Sequence, residues 1–166
     1  MFDFRPGADA TSQERYDLLV EAATAIVHGE PDGVANMANV AALMCEFIPG
    51  MNWAGFYRVV DGELVLGPFA GRPACIRIAL GSGVCGTAAQ QGTTQLVEDV
   101  HAFPGHIACD AETQSEVVVP VVLDGTVVAV IDCDSPRPAR FTQDDARGLE
   151  RLADAIASSI AGACSP

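Results

Sequence analysis

Apolar positions in the first third of the chain recur with helical spacing. Thr11 supplies a side-chain acceptor and Glu14 follows three residues later, the pattern of a capping box, after which Tyr16, Leu19, Val20, Ala23 and Val27 fall on one face. The GEPDG segment ends this helix. A second one, from about Val34 to Phe47, turns Met37, Val40, Ala41 and Met44 inward until Pro49-Gly50 stops it. The period then changes to alternation. NWAGFYRVV and ELVLGPF flank Asp61-Gly62, and SEVVVPVVL and TVVAVIDCD flank Asp124-Gly125. An Asp-Gly pair between β-rich runs is the strongest short-range signal for a hairpin, so two antiparallel hairpins are predicted. Between them CIRIAL reads as a further strand, GVCGTAAQQG as a short helix, TQLVEDV as a brief strand and HAFPGHIACDAE as a long loop with one helical turn. A last helix opens at Thr142, where TQDD provides a cap and an acidic first turn, and runs through Leu149, Leu152, Ile156 and Ile160. The sum is an α+β fold, a central antiparallel sheet of five or six strands flanked by N-terminal and C-terminal helices.

Composition narrows the function classes. At 166 residues, without an internal repeat, low-complexity linker or charge block, residues 1–166 read as a single domain. Apolar residues make up 49% of the chain, yet no run approaches the roughly 18 apolar residues of a membrane span, and MFDFRPGADA lacks a cationic, apolar export pattern. A soluble, cytoplasmic protein is expected. Acidic residues number 22 against 9 basic ones, all arginine, for a net charge of −13. That balance argues against nucleic acid or an anionic membrane as partner, since both need a cationic footprint. In a reducing compartment the six cysteines call for catalysis, metal binding or plain burial rather than a disulfide scaffold. Cys75, Cys85 and Cys109 stand in glycine- and proline-punctuated segments, Cys45 in a helical pattern, Cys133 in an apolar strand, and Cys164 in a short tail.

From Asn52 to Pro136 the stretches NWAGFY, LGPFAGRPACIRI, GSGVCGTAA, VEDVHAFPGHIACDAETQSEVVVP and IDCDSP resemble the free methionine-(R)-sulfoxide reductases, a family of stand-alone GAF domains. The three cysteines, the HAFPGHIACD loop and the two carboxylates of DCDSP occur together and in order, which makes the match more specific than GAF architecture alone. The resemblance implies a GAF-like fold, a thioredoxin-dependent oxidoreductase acting on free methionine-(R)-sulfoxide, and a redox-active disulfide in place of a bound cofactor. It places the attacking thiol at Cys109 and its main disulfide partner at Cys75, with Cys85 as an alternative or second relay. It also implies that Glu116 and Asp134 contact the sulfoxide oxygen, that Asp132 orients, and that Trp53 forms an apolar wall for the substrate. Cys133 departs from the family pattern, where an aliphatic residue is expected; it reads as a core substitution, though one that puts an additional thiol beside the site. A homodimer is a further expectation, with the terminal helices as candidate contact faces.

The residues themselves support parts of this chemistry. Reducing a sulfoxide without a cofactor requires a thiolate to attack sulfur, an acid for the departing oxygen, and a second thiol to restore the first. Cys109 lies on a loop where a helical turn and His106 would favour a thiolate, while Asp110 beside it opposes one. Asp132 and Asp134, two apart on a strand, point to one face, and with Glu116 they form a set of carboxylates in which at least one should keep its proton near neutral pH. Residues 53, 55 and 57 share a strand face, which pairs Trp53 with Tyr57. Amides at the GSGVCG helix entrance are candidate donors for a substrate carboxylate. Plainer readings stand beside these: buried apolar thiols, solvated acids at strand ends, and core aromatics. His101, His106 and Cys109 lack the ligand number and C-x2-C pairing of a zinc site, and GSGVCG lacks the lysine and spacing of a phosphate loop, so no metal and no nucleotide are expected. The main alternative is a GAF ligand-binding or redox-sensing module without turnover. A structural cysteine-rich subunit is a third, unsupported by any exposed stripe or repeat.

Overall fold

A computed structural model describes residues 6–7, 9–107 and 110–165. The N-terminal helices α1 (Ser12–Val27) and α2 (Gly33–Phe47) lead into β1 (Trp53–Val60), β2 (Glu63–Ala70) and β3 (Arg77–Ala79). Helix α3 (Gly83–Gln91), β4 (Gln95–Val97) and a 3-10 turn at Val100–Ala102 precede the long hairpin β5 (Ser115–Leu123) and β6 (Thr126–Ser135), and α4 (Gln143–Ile160) closes the fold. The six strands form one antiparallel sheet in the order β3-β2-β1-β6-β5-β4. Both hairpins turn on the anticipated Asp-Gly pairs, with Asp61 at φ 51° and Gly62 at 80°, and Asp124 at 50° and Gly125 at 79°. Positive φ at both central residues is the geometry of a type I′ turn, which matches the twist of paired strands.

Each face of the sheet has its own core. Ala54, Phe56, Val117, Val119, Ile131 and Cys133 point to the face covered by α1, α2 and α4, whereas Trp53, Tyr57, Val118 and Val130 point to the other, under α3 and its flanking loops. The second face carries the chemistry. Alternation along β6 buries Cys133 fully in the helix-side core, which agrees with its reading as a core substitution and corrects only the expectation that its thiol lies beside the site. A second correction concerns CIRIAL, whose strand begins only at Arg77, leaving Cys75 on the connection after β2.

The predicted capping boxes are present at both terminal helices. Glu14 N–H donates to Thr11 Oγ1 at 3.2 Å and Thr11 N–H to Glu14 Oε2 at 2.8 Å, while Asp145 N–H donates to Thr142 Oγ1 at 3.3 Å and Thr142 N–H to Asp145 Oδ2 at 2.7 Å. Burial of Asp145 is offset by donors from three residues: Thr142 at the start of α4, the Tyr16 hydroxyl at 2.9 Å and Arg140 at 3.4 Å. This fastens α1 to α4, and the fit between them is tight. A Cβ on Gly148 would lie 2.2 Å from the Tyr16 ring. Gly148→Ala is therefore expected to destabilise the fold by roughly 1–3 kcal/mol through overpacking, even though alanine is the better helix former. A thermal melt would show it as a fall of about 2–4 °C in Tm per kcal/mol, and an unchanged Tm would refute the close contact.

Candidate active site

The sheet register assembles the predicted residues. Trp53 of β1 pairs with Asp134 of β6, Gly55 with Asp132, and Glu116 of β5 with Asp134. Trp53, Tyr57, Glu116, Asp132 and Asp134 thus share one sheet face and line one cleft. Cys85 reaches that cleft from α3, and Arg72, Ala74, His106, Ile107, Asp110 and Thr113 form its loop-built side. The cleft is small and open on one side, with about 520 Å³ of empty space when its mouth and the adjoining solvent are counted. A folded partner has no room there.

Aromatic packing fixes the apolar wall. The Trp53 ring stacks on Phe69 at 5.2 Å between centroids and on Tyr57 at 6.0 Å, and its indole N–H donates to the Arg72 carbonyl at 3.1 Å. Two glycines permit this. A Cβ at Gly55 would sit 2.4 Å from Phe69 Cβ, where the β1–β2 register shifts, and Gly71, at φ 141°, would place one 2.5 Å from the indole.

The acids form the floor. Glu116 and Asp132 are each only 6% exposed, and the Cys85 thiol donates to Asp132 Oδ2 at 3.3 Å and contacts Glu116 Oε1 at 3.9 Å. Asp132 Oδ1 receives no hydrogen bond from any nitrogen, hydroxyl or thiol among the described residues, so only a proton kept by Glu116 could serve it. Burial, and then the negative charge of Asp132 and Asp134, pushes Glu116 well above the usual carboxylate range. Asp134 is raised in the same direction by burial, Asp132 and Asp110. Asp132 is raised by burial to about 7, opposed by its hydrogen bonds with Cys85 and Glu116. Burial and the same carboxylates push the Cys85 thiol far up, making it a poor source of thiolate. The expectation that one acid keeps a proton near neutrality follows from this geometry.

Cys75 is disulfide-bonded, whereas Cys45, Cys85, Cys133 and Cys164 are free. Cys109, the predicted nucleophile, lies outside the described residues; its neighbours Ile107 and Asp110 line the cleft, as does Ala74 beside Cys75. His106 offers less cationic support for a thiolate than expected, because burial and the nearby His101 lower its pKa. The sequence pointed to neither Arg72 nor Thr113, and to Asp110 only as a local influence on Cys109. Asp110 is 3.7 Å from Arg72 and accepts from Asn52 at 3.2 Å, and Asn52 also donates to Thr113 at 3.3 Å. These partners are remote along the chain and carried no local signal. Of the GSGVCG segment only Cys85 lines the cleft, so the expected amide donors of that helix entrance are not part of its wall.

A profile described as GAF domain matches residues 35–161. The free methionine-R-sulfoxide reductase of Escherichia coli K12 is 49% identical over 77% of this chain and 78% of its own length. That of Saccharomyces cerevisiae is 40% identical over 92% of this chain and 89% of its own. The X-ray structure of the Neisseria meningitidis free methionine-R-sulfoxide reductase, in complex with its substrate, superposes with a TM-score of 0.91 at 40% identity, covering 98% of this chain and 97% of that one. The chain belongs to the free methionine-R-sulfoxide reductases of the GAF domain family. Its sheet order and flanking helices are those of a GAF domain, and among its described residues no helix is long and apolar enough to cross a membrane.

The acidic floor of this GAF domain should leave a signature in its stability. Folding raises the pKa of Asp132, Glu116 and Asp134, so their contribution is fully present below the unfolded value of about 4 and is lost as pH rises through the folded values, for Asp132 about 7. Tm should therefore fall between pH 5 and pH 8 more steeply in the parent than in Asp132→Asn, which removes one charge and relieves Glu116. Parallel curves would contradict the raised values.

Proposed function

We propose that this GAF domain reduces free methionine-(R)-sulfoxide to methionine, with Cys109 as nucleophile, Cys75 as resolving thiol and thioredoxin as electron donor. The observation that carries the reading is the disulfide at Cys75, beside a small cleft with a proton-bearing acidic floor and an apolar wall. The four other described cysteines are free thiols, and we assign the sixth, Cys109, as the partner of Cys75. Residues flanking both cysteines line the same cleft, which supports the assignment.

In this mechanism the substrate's methyl and side chain lie against Trp53 and Tyr57, with the sulfoxide oxygen toward Glu116 and Asp134. The Cys109 thiolate attacks sulfur and forms an S–S bond while a protonated acid donates to oxygen; the hydroxyl then moves to the cysteine sulfur as the substrate's S–O bond and the new S–S bond both break, leaving a cysteine sulfenic acid. Methionine leaves with two electrons gained. The Cys75 thiol then displaces the hydroxyl as water and forms the disulfide, which a dithiol carrier reduces by exchange. Cys75 suits the resolving role better than Cys85, whose thiol is buried against carboxylates. Ile76, next to Cys75 and 71% exposed, gives the carrier an apolar contact at the disulfide. The substrate ammonium finds compensating charge in the remaining carboxylate, and Arg72, at the mouth, is the cation available to its carboxylate.

A thioredoxin-coupled assay with the separate R and S epimers of free methionine sulfoxide, and with a peptide-bound sulfoxide, tests the proposal. Activity is expected on the free R epimer alone; inactivity on all three, with reduced thiols and intact fold, would favour a sensory GAF module. Cys109→Ser should abolish reduction, and steady turnover by it would remove Cys109 from the mechanism. Cys75→Ser should release about one methionine per enzyme and then stall for want of a resolving thiol. Glu116→Gln or Asp134→Asn should slow single turnover by about a hundredfold or more while changing binding less, since the proton is needed chiefly in the transition state.

A further inference from the structure

The group formed by Cys85, Glu116 and Asp132 has a geometry that proton transfer to a sulfoxide does not require. One ligand atom from each residue lies within 4.8 Å of the other two, and all three residues are buried. The thiol sulfur stands 3.3 Å from Asp132 Oδ2 and 3.9 Å from Glu116 Oε1. With Zn–S of about 2.3 Å and Zn–O of about 2.0 Å, a sulfur and an oxygen on one tetrahedral zinc are separated by about 3.5 Å, between those two distances. Asp132 Oδ1, in a residue only 6% exposed, accepts no hydrogen bond from a nitrogen, hydroxyl or thiol among the described residues, so that once the proton shared with Glu116 is displaced it is free to ligate a cation. The charges acting on Cys85 and Glu116 are those of carboxylates, so the cluster holds three acceptors of positive charge without a cation of its own.

We propose that Cys85, Glu116 and Asp132 form a binding site for a thiophilic divalent cation, zinc being the physiological example, which closes the cleft floor to substrate. Three protein ligands and a fourth position facing the cleft are the layout of an open zinc site. The ion would deprotonate the thiol outright and replace the proton that Glu116 and Asp132 otherwise share. Its role is inhibitory: it occupies the acids that would protonate the sulfoxide, and it is not a participant in reduction. The binding claim is independent of the reductase reading, whereas the inhibition rests on it.

Anaerobic titration of the protein with Co²⁺ tests the site, read by the thiolate-to-cobalt charge-transfer band and by displacement with Zn²⁺. One equivalent is expected to bind. The band should vanish in Cys85→Ser, and affinity should fall in Asp132→Asn and Glu116→Gln by more than the 10–100-fold that loss of an outer-shell partner costs, with circular dichroism confirming the fold. Cys45→Ser and a Cys75→Ser/Cys109→Ser double variant should keep the band. Absence of a stoichiometric band in the parent, or its persistence in Cys85→Ser, would overturn the site. In the coupled assay Zn²⁺ should raise the apparent KM for sulfoxide; stoichiometric metal binding without inhibition would retain the site and reject its inhibitory role.

Discussion

Strand β6 runs between β1 and β5 with a different environment on each side, and every residue from Ile131 to Asp134 must suit one of them. Ile131 and Cys133 enter the apolar layer beneath the terminal helices, while Asp132 and Asp134 face the cleft. A slip of one residue would put two carboxylates into a core lined by Leu149, Leu152 and Ile156, so the register is held by the large cost of burying charge without partners. The register of β6 then determines the site. It brings Trp53 opposite Asp134 on one side and Glu116 opposite Asp134 on the other, uniting residues from three strands without a loop having to position any of them.

Placing three acids and a thiol on one partly apolar face has a cost, and the way the chain meets it is also its chemistry. Ionising all of them together would stack like charges in a buried space, so the state of lowest free energy retains protons on some. The titration belongs to the group rather than to any one carboxyl, and all three carboxyls are displaced upward, Asp132 to about 7. A stock of protons near neutral pH is what the departing oxygen of a sulfoxide needs. The same arrangement would poorly serve a thiolate, which accounts for Cys85 being a hydrogen-bond donor there.

Local rules carried most of the fold. Thr11 with Glu14 and Thr142 with its acidic turn marked helix starts, and the two Asp-Gly pairs marked the hairpins, because caps and tight turns are set by residues a few positions apart. Period-two alternation also put Asp132 with Asp134, and Trp53 with Tyr57; that the two pairs meet is a matter of sheet register. The same alternation sends Cys133 into the opposite core, as its reading as a core substitution requires, so that its thiol neighbours the acids in sequence and not in space. The places of Arg72, Asp110 and Thr113 in the cleft were not legible, since what gives them a role is contact across loops. Asn52 meets Asp110 at a sequence separation of 58, and nothing in either segment announces the other. The strand expected in CIRIAL is present but shorter: β3 pairs with β2 from Arg77 to Ala79, and Cys75 lies on the connection before it.

A reductase of this kind has to satisfy two opposed electrostatic demands within a few ångströms. The attacking thiol gains from positive surroundings, whereas the acid gains from negative and desolvated ones. The chain separates them by type of support. Acids stand on strands, where register holds them rigidly and the helices behind exclude water. Cys75 lies on the connection after β2, close in sequence to Arg72, which offsets Asp110 at 3.7 Å and Glu112 at 3.3 Å. In the proposed mechanism a connection also suits a resolving thiol, which has to meet first another cysteine and then an external carrier, because each step needs a different partner at the same sulfur. The rigid floor and the cysteine on the connection are thus different answers to what each group has to do in that mechanism.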